Sequence, residues 1–368
     1  MDSQDLLIAL NANLRLHRAA ICRLAGCLEL WRDAAPGNRT LAATLGVPLV
    51  QLDRALASAR SARDTARRSR LQAEKRGCRL ILWGSEDYPT GLADLSLPPP
   101  VLYCRGTLPA GPAMAIVGSR RMNPYGREAA DLFASSLAAR GVTVVSGFAL
   151  GVDQAAHQAA LEVDGITLAI LGCGLDIDYP RHSRRLADGI ARRGALISEF
   201  PFGCSPRSWH FPVRNRLIAA LASGVLVIQA KQRSGSLITA HLALELGREV
   251  FAVPGDIFEE LSLGTNELIR DGAYPVSSPE DVLDHLALGW QQELFPQASP
   301  RREAPRIKTP GGTPGRILEV LETGKPRLAE ELASELGKSV DSVLAALLEL
   351  ELAGLILRRP GPVYERLG

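Results

Sequence analysis

The sequence has few features of a secreted, membrane-spanning or redox-active protein. Its six cysteines, at positions 22, 27, 78, 104, 173 and 204, form no Cys-x-x-Cys pair, which argues against a zinc ribbon or a thioredoxin-type motif. No apolar run approaches the ~18 residues that span a bilayer. The acidic start at residues 1–5 lacks the basic region of a secretory signal. These absences predict a cytoplasmic protein that makes no membrane contact.

The common catalytic and cofactor motifs are also missing. The chain contains no Gly-x-x-x-x-Gly-Lys-Ser/Thr loop, no Gly-x-Ser-x-Gly elbow and no His-Glu-x-x-His pair. Gly172-Cys-Gly174 is not completed as a dinucleotide fingerprint, because Ile177 occupies the third glycine position. Asp153 and His157 are four residues apart, but no third metal ligand accompanies them. We therefore expect no cofactor and no metal.

Positive charge is concentrated locally. The net charge is only +2 over 368 residues, and lysine occurs at five positions only. Arginine-rich clusters lie at 60–76, 181–193 and 207–216. A single cluster is more often a solvated face than a binding site. Two of these clusters lie close in sequence to glycine-rich segments, which favours binding of an anionic ligand there.

Six apolar runs between Ala113 and Gly255 share one pattern. Each run ends abruptly in Gly, Ser or Pro-Gly, and a helix-like segment follows it. Continuous apolar runs that alternate with helices are typical of a parallel sheet covered on both faces. Such sheets bind ligands beyond the carboxyl ends of their strands. The pattern predicts an α/β domain with a phosphate-binding surface at that edge.

The remaining segments predict a four-part organisation. Residues 1–75 read as short helices that form either an interaction or nucleic-acid module or a packing cap, and 76–290 hold the α/β domain. Residues 291–312 are rich in proline and lack apolar periodicity, which is typical of a flexible linker. Residues 313–368 contain three helices and a hairpin, which is the pattern of a winged helix. The third of these helices has acidic residues and no Arg or Lys, so we favour a protein contact or weak binding over groove reading.

The central motifs, taken in order, closely resemble the DprA/Smf family of DNA-processing proteins. The resemblance covers about 160 residues and rests on an ordered set, since one motif alone would mean little. The motifs are Ile116-Val-Gly-Ser-Arg, Tyr125-Gly126, Val144-Val-Ser-Gly-Phe-Ala-Leu-Gly-Val-Asp-Gln-Ala-Ala-His157, Leu171-Gly-Cys-Gly-Leu-Asp-Ile-Asp-Tyr-Pro180, Ser198-Glu-Phe-Pro-Phe-Gly203, Phe211-Pro-Val-Arg-Asn-Arg-Leu-Ile218, Ser234-Gly-Ser-Leu-Ile-Thr-Ala240, Gly247-Arg-Glu-Val-Phe-Ala-Val-Pro-Gly255 and Gly264-Thr-Asn-Glu-Leu-Ile-Arg-Asp-Gly-Ala273.

The resemblance implies both a fold and a function. It implies an extended Rossmann-like sheet domain, an N-terminal helical (SAM-like) domain and a C-terminal winged helix. It also implies a homodimer that binds single-stranded DNA, protects incoming DNA during natural transformation and loads the RecA recombinase. One departure is His241, which stands where the family often has Arg. That departure affects one phosphate contact and not the assignment.

The strand ends and helix starts supply the candidate DNA-binding residues. Backbone N–H groups at such turns bind phosphate, and Arg binds two of its oxygens. For Phe148 two readings stay open, stacking on a base or packing in the core. The candidates are Gly118, Ser119, Arg120, Arg121, Ser146, Gly147, Phe148, Gly151, Gly172, Gly174, Arg181, Arg184, Arg214, Asn215, Arg216, Ser234, Gly235, Ser236 and Thr239.

An enzymatic alternative comes from phosphoribohydrolases of the LOG type, which are related by fold. Those enzymes carry Pro-Gly-Gly-x-Gly-Thr followed closely by Glu. Here the corresponding turn is Ser234-Gly-Ser-Leu-Ile-Thr-Ala, and no Glu follows until Glu245. We therefore favour a binding protein that is not an enzyme. A domain that senses small nucleotides in the same crevice is a third reading.

Overall fold

A computed structural model describes residues 3–12, 39, 43, 50, 62–290, 313–321, 327–352, 356–359 and 363–366. Contacts divide the chain into two compact units, Met1–Pro296 and Gln297–Gly368. The division falls inside the predicted linker and groups the N-terminal helices with the sheet; the finer domain limits stay a prediction. None of the helices that the structure describes is long and apolar enough to cross a membrane.

The first unit alternates strands and helices after its N-terminal helices. Its strands are β1 Cys78–Leu82, β2 Val101–Gly106, β3 Ala113–Val117, β4 Thr143–Ser146, β5 Thr167–Ile170, β6 Ala195–Ser198, β7 Gly224–Val227, β8 Glu249–Ala252 and β9 Tyr274–Pro275. Its described helices are α1 Ser3–Ala12, α2 Ala62–Lys75, α3 Thr90–Ala93, α4 Pro124–Ala139, α5 Val152–Glu162, α6 Arg184–Arg193, α7 His210–Ala220, α8 Gly235–Glu245, α9 Leu263–Arg270 and α10 Pro279–Trp290.

These nine strands form one sheet in the order β1-β2-β6-β5-β4-β3-β7-β8-β9. The pairs β1–β2 and β2–β6 are antiparallel, and the other neighbouring pairs are parallel. All six apolar runs are therefore parallel strands, as predicted. The strand order reverses at β3, which has β4 on one side and β7 on the other. This reversal is the switch point at which open α/β sheets bind ligands.

Both faces of the sheet are covered, which explains the unbroken apolar strands. In β3, Ile116 belongs to the core that includes α4 and α5, and Val117 belongs to the core that includes α7 and α8. Successive strand side chains point to opposite faces, so a strand covered on both faces favours apolar residues at each position. The contact between α4 and α5 is rich in alanine, for example at Ala134 and Ala156, which lets the two helices approach closely.

The N-terminal helical prediction is only partly described. Helices α1 and α2 pack together, and the Asn11 side chain donates a hydrogen bond to the Glu199 backbone carbonyl at 3.5 Å. Ala66 and Ala73 are buried on α2, whereas Arg67, Arg68 and Arg70 are exposed. The predicted apolar stripe at Leu49, Leu52 and Leu56 lies outside the described residues, as does the linker 291–312.

The second unit is a winged helix, as predicted. Tyr364 and Leu347 lie in a core shared by the helices and the sheet. Its elements are α11 Thr313–Val320, β10 Arg327–Leu328, α12 Ala329–Leu336, α13 Val340–Leu352, β11 Ile356–Arg359 and β12 Val363–Arg366. The strand order is β10-β12-β11.

Candidate nucleic-acid interface

A cleft of about 780 Å³ opens beyond the carboxyl ends of β3 and β7. The loop after β3, the start of α5, the loop before α7 and the start of α8 form its walls. Its position at the switch point agrees with the predicted ligand edge. The lining residues include Gly118, Ser119, Arg120, Arg121, Asp153, Tyr179, Arg207, Phe211, Arg214, Asn215, Lys231, Arg233, Ser234, Gly235, Ser236 and Thr239.

Cations dominate the rim of the cleft. Arg120, Arg121, Arg207 and Arg233 are exposed, and none of them forms a salt bridge with a carboxylate in the described part of the chain. Lys231 differs, because its Nζ lies 2.7 Å from a Glu260 carboxylate oxygen. Unpaired guanidinium groups around a concave surface attract a polyanion and bind its phosphates in a bidentate manner.

An aromatic ladder runs along one wall of the cleft. The Arg120 guanidinium lies over the Phe211 ring, 4.8 Å from its centroid. The centroids of Phe211 and Tyr179 are 5.6 Å apart with planes tilted by 34°. A cation beside aromatic faces is the combination that holds nucleotides through phosphate and base together.

Arg214 forms the floor of the cleft rather than its rim. It is only 3% exposed, and its Nη1 donates hydrogen bonds to the backbone carbonyls of Gly147 and Ile170. These bonds hold the ends of β4 and β5 together. Burial lowers the pKa of Arg214 to about 10, with Asp153 opposing the shift, so the side chain is charged at neutral pH. Its hydrogen bonds to these carbonyls give Arg214 a structural role in the fold.

Asp153 is the acidic partner of this floor. Its carboxylate accepts a hydrogen bond from the Ala149 backbone N–H at 3.2 Å, which fixes the turn before α5. Burial raises its pKa, and the neighbouring Arg214 opposes that shift. The carboxylate therefore acts as a structural counter-ion within a cationic cleft.

The start of α8 presents backbone groups to the cleft. Ser234 caps the helix and its hydroxyl accepts a bond from the Ser236 N–H at 3.4 Å. Asn215 donates from Nδ2 to the Gly235 carbonyl at 3.2 Å, so this predicted contact residue also orients the helix start. Thr239 lines the cleft from a buried position. A helix N-terminus that faces a cationic cleft favours an anion there.

Packing against neighbouring segments requires glycine at several strand ends, and the predicted phosphate contacts of these residues stay a prediction. A Cβ atom at Gly118 would lie 2.7 Å from Val152 Cγ2, and one at Gly151 would lie 2.2 Å from the Ser119 carbonyl oxygen. One at Gly147 would lie 2.6 Å from an Arg214 nitrogen. The chain itself fills the space beside these glycines. Gly235 differs, because a Cβ there meets no atom within 4 Å.

Several predicted contact residues lie away from the cleft. Phe148 is 4% exposed in a core beside Leu171 and Cys173, which supports the packing reading over the stacking one. The buried Ser146 hydroxyl donates to the Ile116 carbonyl at 2.6 Å. Arg216 forms a salt bridge at 2.7 Å with the fully buried Glu199. These side chains are committed to the fold.

The predicted Gly172-Cys-Gly174 segment is also packed against protein. A Cβ at Gly172 would lie 3.0 Å from the Phe211 ring, and one at Gly174 would lie 2.5 Å from the Pro201 carbonyl oxygen. Arg181 and Arg184 are exposed but do not line the cleft. Arg184 lies 3.8 Å from Asp178 and lines a second, smaller cavity.

Several residues that line the cleft were absent from our predicted contact residues. Phe211 belongs to the Phe-Pro-Val-Arg-Asn motif and Arg207 to a basic cluster, so both had a signal in the sequence. The geometry adds Tyr179, Lys231 and Arg233, whose loops meet only in the fold. Within the described residues, no group of three His, Cys, Asp or Glu side chains could hold a metal ion.

Sequence comparisons identify the family. The family model of DNA recombination-mediator protein A matches residues 79–287, and that of the DprA winged helix domain matches residues 300–362. The chain belongs to the DprA/Smf family. Protein Smf from Escherichia coli (strain K12) is 42% identical over 287 residues, which cover 77% of this chain and 76% of that protein. DNA processing protein DprA from Bacillus subtilis (strain 168) is 40% identical over 215 residues, which cover 58% and 72%.

Two solved DprA structures share the fold. DNA processing protein A from Streptococcus pneumoniae superimposes with a TM-score of 0.68 at 32% identity, covering 77% of this chain and 98% of its own. DNA processing protein A from Helicobacter pylori gives a TM-score of 0.53 at 33% identity, covering 58% and 96%. The protein from Helicobacter pylori has a unique single-stranded DNA binding mode. The chain described above is thus a DNA-processing protein of the DprA/Smf type.

Proposed function

We propose that the cleft binds single-stranded DNA. The observation that supports this most strongly is the ring of exposed arginines without acidic partners among the described residues, around a cleft at the switch point of the sheet. The described single-strand binding of the relative from Helicobacter pylori supports the same conclusion. In this proposal Arg120, Arg121, Arg207 and Arg233 contact phosphates, and the start of α8 accepts one more.

The aromatic ladder favours an unpaired strand over a duplex. Phe211 and Tyr179 can stack only on bases whose faces are free, because a duplex presents its edges and not its faces to a protein groove. Stacking tolerates any base, so the proposed binding has little sequence selectivity.

The test is the affinity of Arg120→Ala for a fluorescent single-stranded 12-mer. Loss of one charged phosphate contact weakens binding about tenfold at low salt and reduces the salt slope by about 0.7. All sequences are affected to a similar extent, since the contact carries no base information. Fluorescence anisotropy at several salt concentrations measures both quantities.

Arg127→Ala is the matched control for this test. Arg127 is an exposed arginine on α4, held 2.9 Å from Asp131, and it does not line the cleft. The control keeps the affinity of the unmodified protein. An equal loss in both variants, or no loss in Arg120→Ala, would count against the cleft.

We propose further that the cleft binds without turnover. Asp153 is the only carboxylate among the described cleft-lining residues, and it acts as the counter-ion of the buried Arg214. Glu245, the next acid after the Ser234 turn, lies at the end of α8 and outside that lining. Incubation with nucleoside monophosphates tests the phosphoribohydrolase alternative. Release of free base would support that alternative.

The cellular role that we propose is protection of incoming DNA during natural transformation, followed by RecA loading. We also propose that the protein acts as a homodimer, with segment 240–272 supplying the patch between copies and the RecA contact. Leu244, Ile257 and Phe258 in this segment expose large apolar side chains, which is typical of an interaction surface. Faster RecA-dependent strand exchange on addition of this protein would support loading.

A further inference from the structure

A second cavity of about 450 Å³ adjoins the cleft. It lies among the ends of α2 and β2, the loop after β5, and α6. Tyr179 lines both the cleft and this cavity, so the aromatic ladder leads from one to the other. Its lining residues are Arg76, Cys78, Arg105, Phe148, Leu171, Leu175, Asp176, Ile177, Asp178, Tyr179, Ser183, Arg184, Ala187, Asp188 and Leu196.

The chemistry of this cavity differs from that of the cleft. Its rim has three arginines and three aspartates, and they neutralise one another in pairs. The rim therefore offers both donors and acceptors but no net charge. A phosphate gains little from such a rim, whereas the polar edge of a neutral ring finds both kinds of hydrogen-bond partner.

The floor of the cavity is apolar. Phe148, Leu171 and Leu196 belong to one buried cluster, and Leu175 and Ile177 pack against it. Phe148 has a φ of 59°, a backbone conformation that is rare for a bulky residue and is typical of functional sites. The volume lies within the range of small-molecule sites. An apolar floor under a charge-balanced rim fits a flat heteroaromatic ring.

We propose that this cavity is a nucleobase subsite. It takes the base of the nucleotide that follows those bound in the cleft, after the strand has passed Phe211 and Tyr179. This rests on the proposed single-strand binding and adds a base contact to the phosphate contacts there. Since Arg and Asp together can meet the edge of any base, the subsite discriminates little among the four bases.

Ala187→Leu tests the subsite by filling it. Ala187 is a half-buried residue that lines the cavity, so the added carbons enter existing space without overpacking a core. Two ligands are compared by anisotropy: dT12 and a 12-mer of abasic tetrahydrofuran units with the same phosphates. The variant loses about tenfold in affinity for dT12, as expected for one stacked base, and stays within twofold for the abasic polymer.

The two ligands separate this inference from the proposed function. Equal losses on both ligands, or no loss on either, would overturn the subsite while leaving phosphate binding in place. Failure of the unmodified protein to bind either ligand would overturn the proposed function and the subsite with it. Competition of free thymidine or deoxycytidine against the labelled 12-mer shows whether the cavity holds a base of the strand or a free nucleoside. Competition only at millimolar concentration supports a base of the strand, and competition at micromolar concentration would assign the cavity to a free nucleoside instead.

A second measurement needs no substitution in the cavity. The unmodified protein is irradiated with a 12-mer of 4-thiothymidine, and the adducts are mapped by mass spectrometry. The subsite predicts adducts on Cys78, Leu175 or Ile177, which line the cavity and not the cleft. Adducts confined to cleft residues such as Phe211 would overturn it, even if Ala187→Leu failed to fold.

Discussion

Arginine serves two opposite purposes around the cleft. Arg214 is buried and bonded to the carbonyls of Gly147 and Ile170, so it holds the strand ends in register. Arg120 is exposed and stacked on Phe211, which leaves its N–H groups directed to a ligand. Removal of the first leaves buried polar groups without partners and costs about 3–5 kcal/mol of stability. Removal of the second affects binding and leaves stability nearly unchanged.

His157 makes the fold sensitive to acid. The Thr167 hydroxyl donates to the Val144 carbonyl at 2.7 Å, so the 2.6 Å contact between His157 Nδ1 and that hydroxyl oxygen requires the ring to carry its proton on Nδ1. Burial lowers the pKa of His157 to about 3, with Arg214 adding to the shift. The folded protein therefore holds this ring neutral at pH values where the unfolded chain protonates it.

The predicted consequence is a loss of stability between pH 6.5 and 3. The unfolded chain binds one more proton in this window, so the free energy of unfolding falls by about 1.4 kcal/mol for each pH unit of acidification. His157→Asn retains a donor for Thr167 and removes the titrating group, so its slope is smaller by that amount. Urea unfolding at several pH values measures the slopes. Identical slopes would show that the ring does not titrate as described.

Gly235 and Gly118 predict opposite outcomes for the same substitution. A Cβ at Gly235 meets open space in the cleft, so Gly235→Ala leaves the unfolding free energy equal or slightly higher. If a phosphate approaches this backbone, the added methyl weakens single-strand binding by about threefold or more. Gly118→Ala instead clashes with Val152 and the Gln229 carbonyl and costs about 1–3 kcal/mol of stability. Thermal unfolding and anisotropy on both variants separate the two cases.

At the scale of elements, the strands were predictable and the antiparallel edge was not. The run from Met114 to Val117 is apolar without interruption, because each face of β3 meets its own helices. The pairing of β2 with β6 joins segments about 90 residues apart along the chain, and local sequence contains no signal for it.

The candidate site shows the same limit. Arg120 and Arg121 were predictable because they follow a strand at the switch point. Phe148 and Arg216 resemble ligand contacts in sequence, yet the fold buries one and pairs the other with Glu199. The contribution of Tyr179 depends on the contact between its ring and that of Phe211. The two residues are 32 positions apart along the chain, so the sequence pattern alone does not predict this contact.

Helix α13 predicts the role of the winged helix. Apart from Ser342, its exposed positions are apolar or acidic, with Leu348 and Glu349 among them and no Arg or Lys. Such a surface repels phosphates and suits a protein partner. A chain ending at residue 296, between the two compact units, keeps its affinity for a 12-mer within twofold. A loss above tenfold in an anisotropy titration would place DNA on the winged helix.

At the scale of the whole molecule, the proposed dimer would raise the affinity for a DNA strand that is long enough to reach two clefts. Phe258 is 91% exposed and Leu244 is 55% exposed, so the double variant Leu244→Asp, Phe258→Asp places charges in the proposed patch. Sedimentation velocity then shows a monomer. The monomer binds a 12-mer normally but loses at least about tenfold for a strand that spans two clefts, because the second attachment is lost.

Leu132→Asp is the control for the dimer variant. Leu132 is 52% exposed on α4, outside segment 240–272, and the substitution introduces the same kind of charge. Leu132→Asp sediments as the unmodified protein does. A monomer in this control, or a persistent dimer in the double variant, would move the interface elsewhere.

The crowding around Gly118, Gly147 and Gly151 bears on what sequence signatures record. These positions satisfy steric demands of neighbouring segments, so selection for a well-formed domain preserves them whether or not a polynucleotide is ever engaged. The exposed guanidinium groups of the cleft are not required by the packing of neighbouring segments. A homologue that retained every small residue but replaced Arg120, Arg121, Arg207 and Arg233 would still be classed with these proteins, and under the proposed function it would bind single-stranded DNA weakly. Under the proposed function, nucleic-acid binding by such a homologue is therefore better inferred from these four surface arginines than from the glycine motifs.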